Sequence, residues 1–228
     1  MWNCVPRGAR AVRSTPLFLV VLLAACGSGG SKDSQGTTTA TTTDANGCTT
    51  VEQPKPSARK GAKPTTGLDR SKTYTVTMQT NCGSFTIDLA VKTAPATTAS
   101  FVSLVRKGFY DNTIFHRIVP GFIIQGGDPT ASGLGGPGYS VVDKPPATAR
   151  YTLGTVAMAK TQTEPNGTSG SQFFIVTAQD AQLPPQYAIV GEVKDGLDTV
   201  TKIGELGDAS TEQPTEIVEI QKATVSTG

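Results

Sequence analysis

Apolar and polar positions alternate most regularly between Thr73 and Ala90. In TYTVTMQT, Tyr74, Val76 and Met78 fall on one face and threonines on the other. In SFTIDLA, Phe85, Ile87 and Leu89 repeat the pattern. A period of two belongs to a half-buried strand, and Asn81-Cys82-Gly83 between the runs predicts a β-hairpin. The period then changes. In TAPATTASFVSLVRKGFY, Thr97, Phe101, Leu104 and Val105 share a helical face, Pro95 suits a first turn and Gly108 a C′ position. This predicts a helix from Pro95 to Lys107. IFHRIV, GFIIQGG, TLGTVAMAK, SQFFIVTA, YAIVGEV and PTEIVEIQKATV read as further strands, and DPTASGLGGPGYS as a glycine-rich loop. DGLDTVTKIGEL reads as a second helix, capped by Asp195, with Leu197, Val200 and Ile203 inward. Seven or eight strands with two short helices predict a mainly β fold: a closed eight-stranded antiparallel barrel with two flanking α-helices.

Ahead of this pattern, Arg7, Arg10 and Arg13 precede an apolar run from Leu17 to Ala25, and small residues lead into Cys26. That is the pattern of a secretory signal peptide over residues 1–25. The run is shorter than the roughly 20 residues that span a bilayer. Leu23-Ala24-Ala25-Cys26 also resembles the lipobox of bacterial lipoproteins. The resemblance implies cleavage before Cys26, acylation of that cysteine, and a lipid anchor on the extracytoplasmic face of the cell membrane. Without lipobox processing the chain would be secreted. GSGGSKDSQGTTTATTTDANG has almost no apolar side chain to offset the entropy of ordering its backbone, and KPSARKGAKPTTGLDRSK is loop-like. Residues 26–72 therefore read as a low-complexity flexible tether and residues 73–228 as the folded domain. Roughly 150 residues suffice for one sizeable core.

Removal of residues 1–25 takes away three arginines and no acid, which turns the net charge from +2 to −1. No nucleic-acid footprint remains, and nothing demands a dimer, so a monomer is expected. With the signal and lipid cysteines set aside, Cys48 and Cys82 are left. Outside the reducing cytoplasm, an even pair favours a bridge over two free thiols. Its loop-closure contribution would be roughly 3–4 kcal/mol.

His116 is the only histidine. One histidine cannot build a His-based cluster, and the cysteines lie too far from it for a zinc pattern, so neither metal nor other cofactor is expected. Ser171 sits in GSQ rather than in a G-x-S-x-G nucleophile elbow. GLGGPG lacks the Lys-Ser/Thr of a phosphate loop and reads as turn glycine. What remains is Arg117 in apolar surroundings, with a second apolar element at Ser171-Gln172-Phe173-Phe174.

FHRIVPGFIIQGGD and NGTSGSQFFI resemble the two signature segments of the cyclophilins, the peptidyl-prolyl cis–trans isomerases, in order and spacing. The resemblance covers essentially Thr73–Val225. It implies isomerisation of Xaa-Pro bonds in proline-containing polypeptides, here exported proteins folding outside the cytoplasm. Arg117 would donate to the prolyl nitrogen as the amide twists, Gln125 would position Arg117 and touch the substrate carbonyl, and Phe122 would complete the catalytic set. Phe122, Ile123, Phe174 and Leu183 match the proline-ring pocket. Ala159 and Lys160 match the segment whose backbone pairs with the peptide. Gln172 lines the neighbouring subsite and Gly133 lies in the loop flanking it. The chemistry needs no nucleophile or metal. The barrier of ~18–20 kcal/mol comes from amide resonance, and a donor that favours the twisted state lowers it by differential binding. His116 neighbours Arg117 on a strand, so its side chain is expected on the opposite face in a structural role.

Three positions depart from the family. Gln182 stands where the best-known eukaryotic members carry a tryptophan that contacts cyclosporin, which implies weak binding of that drug. Tyr187 replaces a pocket histidine, and its OH can still hydrogen-bond. KTQTEPNGTSGS is about three residues longer than usual in the resemblance, and Lys160 replaces a common asparagine. The alternative to an isomerase is a cell-envelope module that binds proline-containing peptides, with incidental turnover.

Overall fold

The computed structural model describes residues 43–228, so the signal segment, Cys26 and the first part of the expected tether lie outside the described residues. The expected hairpin is β1 (Tyr74–Thr80) and β2 (Gly83–Leu89), with Val76 opposite Ile87 and Met78 opposite Phe85. All four of these side chains are buried, because the alternation turns one face of the hairpin inward. Helix α1 (Pro95–Arg106) follows; it has no acid of its own in the first turn, and the Asp143 carboxylate accepts the Thr97 N–H at 2.5 Å instead. Short strands β3 (Thr113–Ile114), β4 (Arg117–Val119), β5 (Ile123–Gly126) and β6 (Val141–Val142) come next. After them come β7 (Thr155–Met158), β8 (Thr168–Ser169), β9 (Phe173–Val176), β10 (Ile189–Asp195), α2 (Leu197–Gly204) and β11 (Glu219–Thr227).

The expected closed eight-stranded barrel is not what forms. Nine strands make one open sheet in the order β3-β11-β1-β2-β10-β7-β9-β5-β4, and β6 pairs with β8 separately. The two edge strands, β3 and β4, are consecutive in the chain, joined by Phe115 and His116. No ladder links them. The Phe115 N–H continues the pairing with β11 by donating to the Val218 carbonyl at 2.9 Å, whereas the Ile118 N–H on β4 donates to the Glu212 carbonyl at 2.9 Å. The edge of β4 is thus satisfied by the loop before β11 rather than by another strand.

Asp195 does not cap α2. Gly196 occupies that place with φ +78°, a Cβ there would lie 2.4 Å from the Ser84 carbonyl oxygen, and Asp195 instead accepts from the Thr86 hydroxyl at 3.2 Å. The span 43–72 also differs from a free tether. Cys48 is buried and bonded to Cys82, the Ser57 N–H donates to the Pro129 carbonyl, and the Gly61 N–H to that of Pro137. Described residues before Thr73 therefore lie along the domain as part of one compact unit.

The β4-β5-β9-β7 part of the sheet separates two apolar layers by simple alternation. Ile118, Ile124, Val156, Met158, Phe173 and Ile175 enter the main core, where Phe173 meets the rings of Phe101, Tyr110 and Phe115 edge-on. The residues between them face the other way, in a smaller cluster with Ile123, Ala157, Phe174 and Val176. That second face carries the site.

Candidate active site

Val119-Pro120-Gly121-Phe122 turns β4 into β5: the Phe122 N–H donates to the Val119 carbonyl at 3.0 Å and Gly121 takes φ +67°. Proline then glycine at the central positions is the chemistry of a type II turn. The turn fixes the register. Arg117 lies opposite Gln125, Gln125 opposite Phe174, and Phe174 opposite Ala157. One row across three strand pairs thereby collects a cation, an amide, an aromatic ring and a small side chain on one face.

The polar members form a chain. Arg117 Nε donates to Glu212 Oε2 at 2.7 Å, and its Nη1 points to Gln125 Oε1 at 3.4 Å. Gln125 Nε2 donates to Gln172 Oε1 at 3.0 Å, and Gln172 Nε2 to the carbonyls of Gly133 and Gly135, both at 2.9 Å. Arg117 Nη2 has no hydrogen-bond partner among the described residues. Glu212 reaches the arginine from a loop ordered by Asp208, whose carboxylate accepts from the Ser210 hydroxyl and from the Ser210 and Thr211 N–H groups. Those bonds, the Ser210 hydroxyl first, hold Asp208 down to a pKa of about 2.

Beside this chain lies the apolar layer. Phe122, Leu183 and Tyr187 are partly buried against Ile123 and Phe174, and Tyr187 meets Phe174 edge-on at 5.3 Å. Tyr151, which sequence reasoning missed, sets the Tyr187 backbone: its OH donates to the Tyr187 carbonyl at 2.7 Å and accepts the Tyr187 N–H at 2.9 Å. Next to the layer opens a cleft of about 620 Å³, walled by Gly133–Ser140 on one side and by Ala159, Lys160 and Gln172 on the other. The Ala159 N–H is already used by the Gln172 carbonyl at 2.9 Å, so it is not free for a peptide; no such bond engages the Lys160 backbone among the described residues. Lys160 Nζ turns back onto the carbonyls of Thr161 and Glu164 and sits 5.8 Å from the Tyr187 ring centroid. Gln182 is exposed, with φ +52°.

His116 lies between β3 and β4 rather than on a strand, and its ring does not enter the main core. It sits beneath the glycine-rich loop, close enough that a Cβ on Gly133 would be 3.9 Å from the ring. Neither ring nitrogen has a partner among the described residues. Burial pushes its pKa below the ordinary 6.5, against the pull of Asp128 and with the push of Arg117. A depressed folded-state value means the unfolded chain binds the proton more readily. His116 therefore supports stability fully above 6.5 and progressively less as pH falls through its folded value. Urea midpoints should decline from about pH 7.5 to about pH 5, and His116→Gln should flatten that decline; equal slopes would contradict it.

Among the described residues, Asp44, Cys48 and Glu216 bring three potential metal donors within 4.8 Å. The Cys48 sulfur is bonded to Cys82 and cannot serve as a thiolate.

The family described as "Cyclophilin type peptidyl-prolyl cis-trans isomerase/CLD" matches residues 75–225. Peptidyl-prolyl cis-trans isomerase-like 1 of Gibberella zeae is 41% identical over 157 residues, 67% of this chain and 95% of that protein. Peptidyl-prolyl cis-trans isomerase CYP18-2 of Arabidopsis thaliana is 38% identical over 154 residues, 66% of this chain and 92% of that protein. A solved cyclophilin-type isomerase of Cryptosporidium parvum, crystallised in the presence of the dipeptide Ala-Pro, superposes with a TM-score of 0.62 at 33% identity, covering 67% of this chain and 98% of that one. The chain belongs to the cyclophilin-type peptidyl-prolyl cis–trans isomerases. The curated relatives named here come from a fungus and a plant, and they do not bear on lipidation or export.

Proposed function

We propose that this isomerase acts on Xaa-Pro bonds of exported proteins, with Arg117 as the donor to the twisting prolyl nitrogen. The observation that carries the reading is the guanidinium held on two sides, by Glu212 and Gln125, in the same cross-strand row as Phe174, with no partner for Nη2 among the described residues. A proline ring has no N–H and suits Phe122, Ile123, Phe174, Leu183 and Tyr187 as a wall. A fixed cation next to that wall favours the pyramidal nitrogen of the twisted state over the planar amide. Gln125 keeps the guanidinium in plane and offers its amide to the substrate carbonyl. The Lys160 backbone pairs with the extended peptide, and Gln172 and Gly133 border the adjoining subsite. The Ala-Pro dipeptide used with the Cryptosporidium relative fits this choice of ligand. A protease-coupled assay on a short Xaa-Pro peptide tests it, and isomerisation at the spontaneous rate would end it. Complementation with Arg117→Ala separates turnover from a pure binding role: rescue by that variant would favour the peptide-binding module.

The place of action we infer is the outer face of the cell membrane, with Cys26 acylated and the monomeric domain on a tether. Support comes from the basic and apolar pattern of residues 1–25 and from the Cys48–Cys82 bridge, which suits an oxidising compartment. Wild type should fractionate with membranes and incorporate labelled palmitate, and Cys26→Ser should do neither. Cyclosporin should bind weakly, because exposed Gln182 offers no large aromatic surface. Titration of Gln182→Trp should show roughly tenfold tighter binding; unchanged affinity would remove Gln182 from the explanation.

A further inference from the structure

We infer that Cys48–Gly61 is a strap that positions the outer wall of the substrate cleft, with Arg59 as its positioning residue. The inference rests on reading that cleft as the peptide site. The strap lies before residue 75, outside the region matched by the family. Two anchors fix it. At one end Cys48 is bonded to Cys82, the Thr49 N–H donates to the Asn81 carbonyl at 2.7 Å, and Asn81 Nδ2 donates back to the Thr49 carbonyl at 2.8 Å. At the other, Arg59 Nη1 reaches the carbonyls of Phe109 and Asp111, both at 2.7 Å, and of Gly108 at 3.4 Å. Those carbonyls belong to the turn that follows α1, just past its C-terminal end, where the helix dipole favours a cation.

Between and just past these anchors the strap clips both ends of one loop. The Ser57 N–H donates to the Pro129 carbonyl at 2.9 Å and the Gly61 N–H to the Pro137 carbonyl at 2.8 Å. Gly61 is pressed so close that a Cβ would lie 2.8 Å from Leu104 and 3.0 Å from Tyr139. The loop between the two prolines is the cleft wall, and its Gly133 and Gly135 carbonyls hold Gln172. Inside the loop, Asp128 accepts the N–H groups of Thr130, Ser132 and Gly135. A segment with four glycines from Gly133 to Gly138 loses much backbone freedom on ordering, and with free ends the loop would bear that cost each time a peptide binds. The strap fixes the ends beforehand, so its contribution falls on peptides long enough to touch the wall.

The test compares a short Xaa-Pro peptide with one extended by several residues on both sides, using the full chain with its disulfide intact. Arg59→Ala should raise KM for the extended peptide about fivefold while kcat and the short peptide's KM change little. Hydrogen exchange at the Gly61 and Gly135 amides should quicken, and Arg59→Lys should restore part of both effects. Gly61→Val should reproduce them by levering the strap away; if it does not fold, Arg59→Ala carries the test alone. Equal KM changes for both peptides, or unaltered exchange at Gly135, would overturn the inference. So would a fall in kcat with both peptides that merely follows a lower melting temperature. If Arg117→Ala keeps full activity, the reading of the site fails instead, and the exchange measurement still decides whether the strap holds the wall.

Discussion

Arg117→Ala should lower kcat/KM on a short Xaa-Pro peptide by roughly 100- to 1,000-fold, the cost of deleting one preorganised donor at a developing charge. An acceleration of about 10⁵ corresponds to ~7 kcal/mol, so one donor worth ~3–4 kcal/mol would supply about half and the apolar wall the remainder. The loss should fall mainly on kcat. The planar ground-state amide offers little lone pair to the guanidinium, and the twisted nitrogen offers much more. Arg117→Lys should recover only a small part, because a point charge on a flexible stem lacks the fork that Glu212 and Gln125 grip from two sides. Glu212 adds a second expectation. Its carboxylate is 46% exposed and the arginine 34%, so the pair is worth little as stability. Its consequence is orientation: Glu212→Gln keeps an acceptor for Nε and should stay near wild type, whereas Glu212→Ala should lose roughly five- to tenfold in kcat. Wild-type activity in Arg117→Ala would require a different donor altogether.

Much of the fold was legible because local period and turn chemistry agree with tertiary burial. The hairpin has its apolar residues where alternation puts them, and α1 runs Pro95–Arg106 against an expected Pro95–Lys107. IFHRIV was harder. It reads as one strand, yet it splits at Phe115-His116, because the chain must pass there from one edge of the sheet to the other. Periodicity carries no information about which strand edges meet, so an open sheet of nine strands and a closed barrel of eight look alike in the sequence. β6 and β8 have two residues each, too few to show a period. In the site, strand residues such as Arg117, Gln125 and Phe174 could be placed from their segments. Glu212 could not: it lies 95 residues from Arg117 in a polar loop, and only the return of the chain along β4 brings it there. Tyr151 and Arg59 were hidden for a related reason. Each bonds mainly backbone atoms, and a backbone carbonyl leaves no mark on the sequence of its partner.

Removing the Cys48–Cys82 bridge should cost about 4 kcal/mol, the chain-entropy value for the 34-residue separation it closes. The double variant Cys48→Ser/Cys82→Ser measures this most directly, since it leaves no lone thiol to react. At a typical urea dependence of ~2 kcal/mol per M, the midpoint should fall by about 2 M. Two features pull the value in opposite directions. Both sulfurs are buried in the main core, so serine hydroxyls there add a desolvation cost. Against that, without the bridge the strap is held mainly by its hydrogen bonds to Asn81, Pro129 and Pro137 and by Arg59, so it can detach locally while the sheet stays folded, which lowers the global cost. The two outcomes differ in kind. A global cost moves the midpoint of every probe together. Local release leaves the core transition in place and instead quickens exchange at Thr49 and Gly61 while raising KM for extended peptides. Because Cys82 sits at the tip of the β1–β2 hairpin, whose strands are each paired on both sides within the sheet, the global cost should dominate. An unchanged midpoint on removing both sulfurs would mean that the link constrains the strap alone.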